Sequence, residues 1–381
     1  MLRGGDAPPA AGVDPGARFV LMPPRGEAPE AGLPFTPVVP PPAAAPTRVY
    51  RGESFIGEET RWEGEVLVDG TVMVAPVARL VIAPGTVVRF TFRDTDGDGI
   101  GENELFVQGV LRAEGTPERP IVFTAAEGEG FGRWGAVNLM ASDVEESLLA
   151  YCLVEHAYRG LHSHFSRFRV DHSIFRANWR SIQFQESTAS VARTAILASA
   201  SGMRFRDSTV ELDGLAVAGN GYGIQTLRST FTLADSVLAG NALAGVHVRE
   251  SEGSVVGTSI SGGGPGLRVS DSRLRIEGNR LEANVLGGLL LRRTEALVER
   301  NEIVGNFGNG VSTDSPKAVL RGNAVAGNLR YALESNSSEP IDATGNWWGT
   351  PAPPASLFFD RADDPALGPV LREPALTAPP R

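Results

Sequence analysis

An all-β parallel solenoid is the fold class this sequence predicts, and two observations predict it. First, an apolar residue that follows a small one and opens a short alternating run recurs at Leu161, Ile182, Met203, Ile224, Val246, Leu267, Leu289, Val311 and Leu333. The spacing is 21 or 22 residues throughout. Second, another inward position follows two residues after each marker, at Ser163, Phe184, Phe205, Thr226, Val248, Val269, Leu291, Thr313 and Ser335. That alternation marks a strand with one buried face. A period this short cannot hold a helical hairpin repeat, but it holds three short strands and three turns. Equivalent positions of successive coils then stack about 4.8 Å apart.

Polar columns keep the same register. Ser166, Ser187, Ser208, Ser229, Ser251, Ser272 and Thr294 each lie five residues after a marker. Asn279, Asn301, Asn323 and Asn346 form another column, and Asn284, Asn306 and Asn328 a third, with Asn220 and Asn241 in equivalent places. Stacked amides can bond to the coils above and below, so an asparagine ladder is expected to satisfy polar groups that burial would otherwise leave unpaired. Glycine beside these columns supplies the left-handed turn conformations.

Composition divides the chain. Twelve of 27 Pro fall in residues 1–46 and eight in 351–381. Residues 1–47 therefore read as a flexible or polyproline linker. Residues 48–63, with Tyr50, Phe55 and Trp62, read as an N-terminal cap and 64–350 as the solenoid. Residues 351–381 read as a capping segment and proline-rich tail, with Trp347, Trp348 and Leu357–Phe359 covering the end. Terminal coils need such covers because they expose strand edges. A net charge of −10 argues against nucleic acid as partner. The single cysteine, Cys152, excludes an intrachain disulfide framework, and it reads as an unpaired outward or shoulder residue. No apolar run is long enough for a membrane-spanning helix. Ala17–Met22 is too short for a signal-peptide core, so secretion is expected with the signal absent from this chain.

The runs Arg300-Asn301-Glu302-Ile303-Val304-Gly305-Asn306, Gly345-Asn346-Trp347-Trp348-Gly349, Leu80–Phe90 and Gly115–Thr124 resemble right-handed parallel β-helix repeat proteins, the pectin-lyase-like and NosD-like group. The resemblance covers about residues 60–350. It implies a right-handed, single-stranded parallel β-helix of about 12 or 13 coils. It is weak for function, because this fold carries lyases, hydrolases, epimerases and inert scaffolds.

Three groups of residues carry candidate chemistry. Asp94, Asp96 and Asp98 alternate before Gly99, like the start of a calcium-binding loop. Ile100 would add a carbonyl and Glu102 and Glu104 further acids, giving a structural Ca²⁺ site. The departure is Leu105, where such a loop ends on an acid, and the competing reading is a solvated Asp-Gly turn. The second group is the outward face of the marker strand. One row holds His162, Gln183, Arg204, Gln225, His247 and Arg268; the other includes His164, Arg206, Arg249 and Arg292. In the resembling family this strand lines the substrate groove. Its forked guanidinium groups suit carboxylates and sulfates, so an anionic polysaccharide is the expected partner. Glu186, Asp207, Glu250 and Asp271 follow the strand and could neutralise it, leaving a plain solvated face. The third group is His162, His164, Tyr158 and Arg159, weak candidates for a catalytic base with a charge-neutralising arginine, or for two imidazoles sharing a metal.

The acidic pairs that polygalacturonase-like relatives place before the marker strand are absent, as is the epimerase Asp-Pro-His-Asp signature. The sequence thus points to a secreted, periplasmic or cell-surface scaffold that binds polysaccharide and leans away from catalysis. The alternatives are a polysaccharide lyase or glycosidase, and a periplasmic metal-handling protein of the NosD-like kind.

Overall fold

The computed structural model describes residues 32–380. Most of the expected linker and the Ala17–Met22 stretch lie outside the described residues. Within them, one coil shows the plan of all. Arg180–Gln185 forms the marker strand, Thr188–Ala192 the second and Ala195–Leu197 the third, after which Ser201–Arg206 begins the next coil. Every coil pairs in parallel with the next. The markers stack as expected: Leu161 on Ile182, Ile182 on Met203, and so on to Val311 on Leu333. The second strands form a 12-stranded sheet. The marker and third strands are joined into one 25-stranded sheet because Arg48–Ile56 and Glu65–Val74 each run through both faces. The right-handed helix makes about 14 turns. That exceeds the expected number because Arg48–Trp62 already forms a coil and Phe358–Phe359 adds a last strand.

The inward residues fill a narrow core. Leu161, Ile182, Met203, Ile224 and Val246 are fully buried, as are Phe184 and Phe205, whose rings lie 5.6 Å apart. Cys152 is buried as well, with Sγ 3.5 Å from the Ala113 and Ala150 carbonyls. It is a core residue rather than the outward one its sequence position implied, and burial holds its thiol protonated.

Most corners of the central coils turn on one left-handed residue, usually followed by a buried polar one. At the corner after the marker strand the left-handed residues are Glu186, Asp207, Arg228, Glu250, Asp271 and Arg293, with φ between 45° and 52°. None is glycine, so the expectation that glycine supplies these turns fails there, although Gly219, Gly240, Gly262, Gly305 and Gly327 fill the role at the corner before the marker strand. A non-glycine residue in this region costs about 1–2 kcal/mol. The offset is axial hydrogen bonding. Ser187 N–H donates to Ser208 Oγ at 3.2 Å, Ser208 N–H to Ser229 Oγ at 3.2 Å and Ser229 N–H to Ser251 Oγ at 3.1 Å. Asparagines do the same at the other corners. Asn279 Nδ2 donates to Asn301 Oδ1 at 2.9 Å, Asn301 Nδ2 to Asn323 Oδ1 at 2.9 Å and Asn323 Nδ2 to Asn346 Oδ1 at 2.8 Å.

The ends differ from one another. At the C-terminal end Phe358–Phe359 pairs with Leu333–Ser335, and Trp348 meets Phe358 edge-on at 4.9 Å. Buried Asp360 accepts from Val370 N–H and Ala362 N–H, which seats the following segment. At the N-terminal end Trp62 packs on Tyr50 and donates to its hydroxyl at 2.9 Å, whereas Phe55 points outward, 68% exposed. The described part of the proline-rich stretch lies against the outside of the third face. Phe35 is buried on Val87, Val122, Leu153, Ile174 and Ala195. Arg89, paired with Glu65 at 3.0 Å in a site closed to solvent, donates to the Pro40 carbonyl. The apolar residues Leu33, Phe35 and Val39 explain why these residues pack where composition predicts a linker.

Replacing Asn301 by Ala would strand Asn279 N–H, the Ile276 carbonyl and two neighbouring amides. A loss of at least about 2 kcal/mol is expected, read as a lowered melting temperature beside an Arg273→Ala surface control. Equal melting of the two variants would show that the asparagine column contributes no stability.

Candidate functional site

The site lies where the strand Ala157–His164 is distorted. Its register against the preceding Trp134–Met140 shifts between Arg159 and Leu161, an extra residue at Gly160. A Cβ at Gly160 would sit 2.8 Å from the Ser181 carbonyl, so glycine is required for the close approach. A bulge of this kind re-aims the side chains before it. Here those are Tyr158 and Arg159, with the guanidinium 4.8 Å from the Tyr158 ring centre.

Around the bulge the outward row is not a solvated surface. His162 and Gln183 are each only 5% exposed, which corrects the expectation of an open face. A hydrogen-bonded chain runs through them. Asn138 Nδ2 donates to Glu104 Oε2 at 3.3 Å, Asn138 Oδ1 lies 3.1 Å from His162 Nδ1, and the Nε2 atoms of His162 and His164 face each other at 3.1 Å. Burial pushes the Glu104 carboxyl above the ordinary carboxylate range. Burial, with the nearby charges of Arg159, His164 and Arg180, pulls His162 down to about 3, so its imidazole is neutral.

Above this chain stand three arginines. Arg159 and Arg180 occupy paired positions of adjacent coils, and Arg204 lies in the next coil, opposite Gln183. Among the described residues none of the three has a carboxylate within ion-pair distance, and the buried Nε–H groups of Arg159 and Arg180 have no partner. Arg180 is driven below its ordinary value by burial first and then by Arg204. Trp179, 44% exposed, stands beside Tyr158 with ring centres 6.4 Å apart. Trp134, the other candidate for sugar stacking, is wholly buried against Phe90 and serves the core. Sequence reasoning missed Arg180, Asn138 and the link from Glu104 to the face. Arg180 precedes its marker by two residues, as Arg159 does, and that shared offset was a readable signal.

Farther along, the two rows differ. In the second row Arg206 pairs with Asp207, which also takes both nitrogens of Arg228, while Arg249 approaches Glu250 at 4.0 Å. Asp207 and Glu250 thus neutralise Arg206 and Arg249 of this row. In the first row Gln225 and half-buried His247 continue toward Arg268, which has no acidic partner among the described residues. His247 stacks on Tyr222 at 5.8 Å and is pulled down to about 4, mainly by burial. Among the described residues Arg292 of the second row also lacks an acidic partner, though Arg293 holds Asp271 with two bonds.

The acid loop stands beside this site. Asp94, Asp96 and Glu102 each offer an oxygen within 4.8 Å of the others. Asp94 accepts from Gly97 and Gly99 N–H, Asp98 from Ile100 N–H, and Glu102 from Thr95 N–H and Oγ1. Asp98 and Glu104 are not in the converging group, and Glu104 belongs to the chain with Asn138. A cavity of about 220 Å³ separates the loop from Glu104, Tyr158 and Arg159. A larger cleft of about 640 Å³ runs along the corner past Asp271, Arg293 and Lys317, away from this cluster.

His162 and His247 bind protons less readily folded than unfolded. From pH 6.5 down to about 4 the unfolded chain therefore holds the extra protons, and stability falls as the pH drops. Asp207 and Asp271, held low by their arginine partners, act in a separate window below 3.8. His247→Gln should flatten the dependence of melting temperature on pH between 6.5 and 4. An unchanged slope would mean that His247 is not kept neutral by its site.

A family model described as right handed beta helix region matches residues 222–347. No curated protein matches the chain. Among solved structures it is similar to the periplasmic alginate epimerase AlgG, at 14% identity and a TM-score of 0.53 over 73% of this chain and 77% of that one. It also matches the A-module of the mannuronan C-5 epimerase AlgE4 from Azotobacter vinelandii, at 12% identity and a TM-score of 0.37, over 86% of this chain and 91% of that one. Among the described residues no helix is long and apolar enough to cross a membrane. The repeat, the stacked register and the AlgG likeness agree on one architecture: the chain has the fold of the right-handed parallel β-helix proteins.

Proposed function

We propose that the chain is a secreted or envelope-associated β-helix that binds an anionic polysaccharide along its marker face, centred on Arg159, Arg180 and Arg204. The observation that carries this reading is the pair of buried, unpartnered Nε–H groups on Arg159 and Arg180. A half-buried guanidinium without an acid, like these two, is costly, and a carboxylate or sulfate supplies the missing partner with a two-bond fork. Trp179 and Tyr158 offer ring faces beside it, and His162, Gln183, Gln225, His247 and Arg268 extend the row. The fold shared with a periplasmic alginate epimerase supports a carbohydrate ligand and a location outside the cytoplasm.

The test is binding of uronate and sulfated polymers to the whole chain. Arg180→Ala should weaken binding by about tenfold or more, since hydrogen bonds between charged groups contribute about 1.5–3 kcal/mol. Arg206→Ala should weaken it less than about threefold, because Asp207 already neutralises that side chain. Binding to none of these polymers, or equal effects of the two substitutions, would sink the reading. One observation favours a lyase instead of a scaffold: the neutral His162, linked to Glu104 and beside Arg159, resembles a base with a charge-neutralising partner. Ultraviolet absorbance from an unsaturated product would establish turnover, and its absence on polymers that bind would leave the scaffold.

The acid loop enters the same proposal as a structural calcium site, held by Asp94, Asp96 and Glu102. The support is their convergence and the hard oxygen donors they provide. Calcium there would pin the wall of the cavity opposite Arg159. Chelation should lower the melting temperature of the chain and leave that of Asp94→Asn unchanged. A chain whose melting ignores the chelator would not use calcium.

A further inference from the structure

We propose that His162 and His164 form a chelating site for a borderline transition-metal ion, Zn²⁺ or Cu²⁺, with Asn138 and Glu104 orienting the first imidazole. The inference is independent of polysaccharide binding and rests on where the ring protons must lie. The Asn138 amide donates through Nδ2 to the Glu104 carboxyl, which leaves Oδ1 as an acceptor facing His162 Nδ1. His162 therefore carries its proton on Nδ1 and presents the bare lone pair of Nε2. In His164, Nδ1 lies 3.9 Å from Glu186 Oε2, beyond hydrogen-bond distance, and Nε2 faces that of His162. At 3.1 Å one ring can donate to the other, and release of that single proton frees both Nε2 lone pairs to converge on one ion.

A metal ion fits that gap. With Zn–N distances of about 2.0–2.1 Å, nitrogens at this separation subtend about 100° at the ion, between the square-planar and tetrahedral values. The outer partners are also those of a metal site. Ligating histidines donate their second ring N–H to a carboxylate or carbonyl that fixes tautomer and ring plane. Here Asn138 fills that role, backed by Glu104. The charges of Arg159 and Arg180 act on His162 and oppose a bare cation, so an anionic co-ligand is needed to complete the coordination. The chain has 5 His. His156 is held by the Gly130 carbonyl and His172 by Asp171, and His247 lies four coils along, so no other histidine pair competes.

The experiment is titration of the untagged full chain with ZnCl₂ by calorimetry and with Cu²⁺ by electron paramagnetic resonance. One equivalent should bind, and the copper spectrum should show coupling to two nitrogens. His162→Gln and His164→Gln should each abolish that signal. Asn138→Ala should weaken binding about tenfold, the usual effect of losing an outer partner. Arg273→Ala, on the exposed second sheet, should change nothing. His164 is only half-buried, so its variant keeps the test valid if His162→Gln fails to fold. No binding by the folded chain, or binding that survives His164→Gln, would overturn the proposal and leave the two rings sharing a proton.

Discussion

Coil-to-coil hydrogen bonding at the corners is the constraint on which the rest of the molecule depends. Strand pairing between coils is automatic once the coils stack, but a corner interrupts it. The left-handed residue there swings the next N–H along the rod axis, inside the wall, where water cannot reach it. An unpaired buried N–H costs about 1–3 kcal/mol, and the cost recurs in every coil. The serine and asparagine columns remove it with a side chain from the following coil, as Ser187 with Ser208 and Asn279 with Asn301. Because each column residue serves the coil before it, an extra residue must be absorbed within its own coil, as where Ser229 meets Ser251 after 22 residues rather than 21. The 21- or 22-residue period is thus set as much by these polar columns as by the apolar core.

That dependence explains what could be read from the sequence. The markers, the Ser column and the Asn columns are strict because each must meet an identical partner one coil away, so Leu161 to Leu333 could be placed without coordinates. The left-handed positions were harder. Glycine advertises such a turn, but Glu186, Asp207 and Asp271 adopt it without any local signal, since axial bonding overrides their intrinsic preference. Residues 32–47 were hidden for a related reason. Their composition is that of a linker, and only the outward apolar strip of Val122, Leu153 and Ile174, contributed by separate coils, gives Phe35 a seat. No short window of sequence contains that strip.

The candidate site was half legible. The outward rows followed from strand alternation, and the pairing of Arg206 with Asp207 and of Arg249 with Glu250 followed from sequence adjacency. The Glu104–Asn138–His162–His164 chain did not. Its members come from three successive coils, with Glu104 34 residues from Asn138 and Asn138 24 residues from His162. The bulge at Gly160 is equally silent, because one extra residue in a strand of eight leaves the marker spacing untouched.

The bulge also accounts for why chemistry gathers at this coil and not at another. In two coils of the marker face the left-handed acid after the strand lies next to a second-row arginine, Asp207 by Arg206 and Glu250 by Arg249, so charge is neutralised where it is introduced. Arg159 and Arg180 escape because they stand before the marker, at the opposite end of the strand from Glu186 and Asp207. The bulge turns Tyr158 and Arg159 toward the cavity under the acid loop, where Glu104 shares the lining with Asp96, Asp98 and Glu102. It is engaged with Asn138, however, and forms no ion pair with either arginine. Two guanidinium groups, two imidazoles and an aromatic wall are thereby concentrated within adjacent coils while their natural counter-charges are held elsewhere. A β-helix can carry such an imbalance locally because each coil is braced by its neighbours above and below. The corner columns supply the rigidity, and the broken register at Gly160 supplies the site.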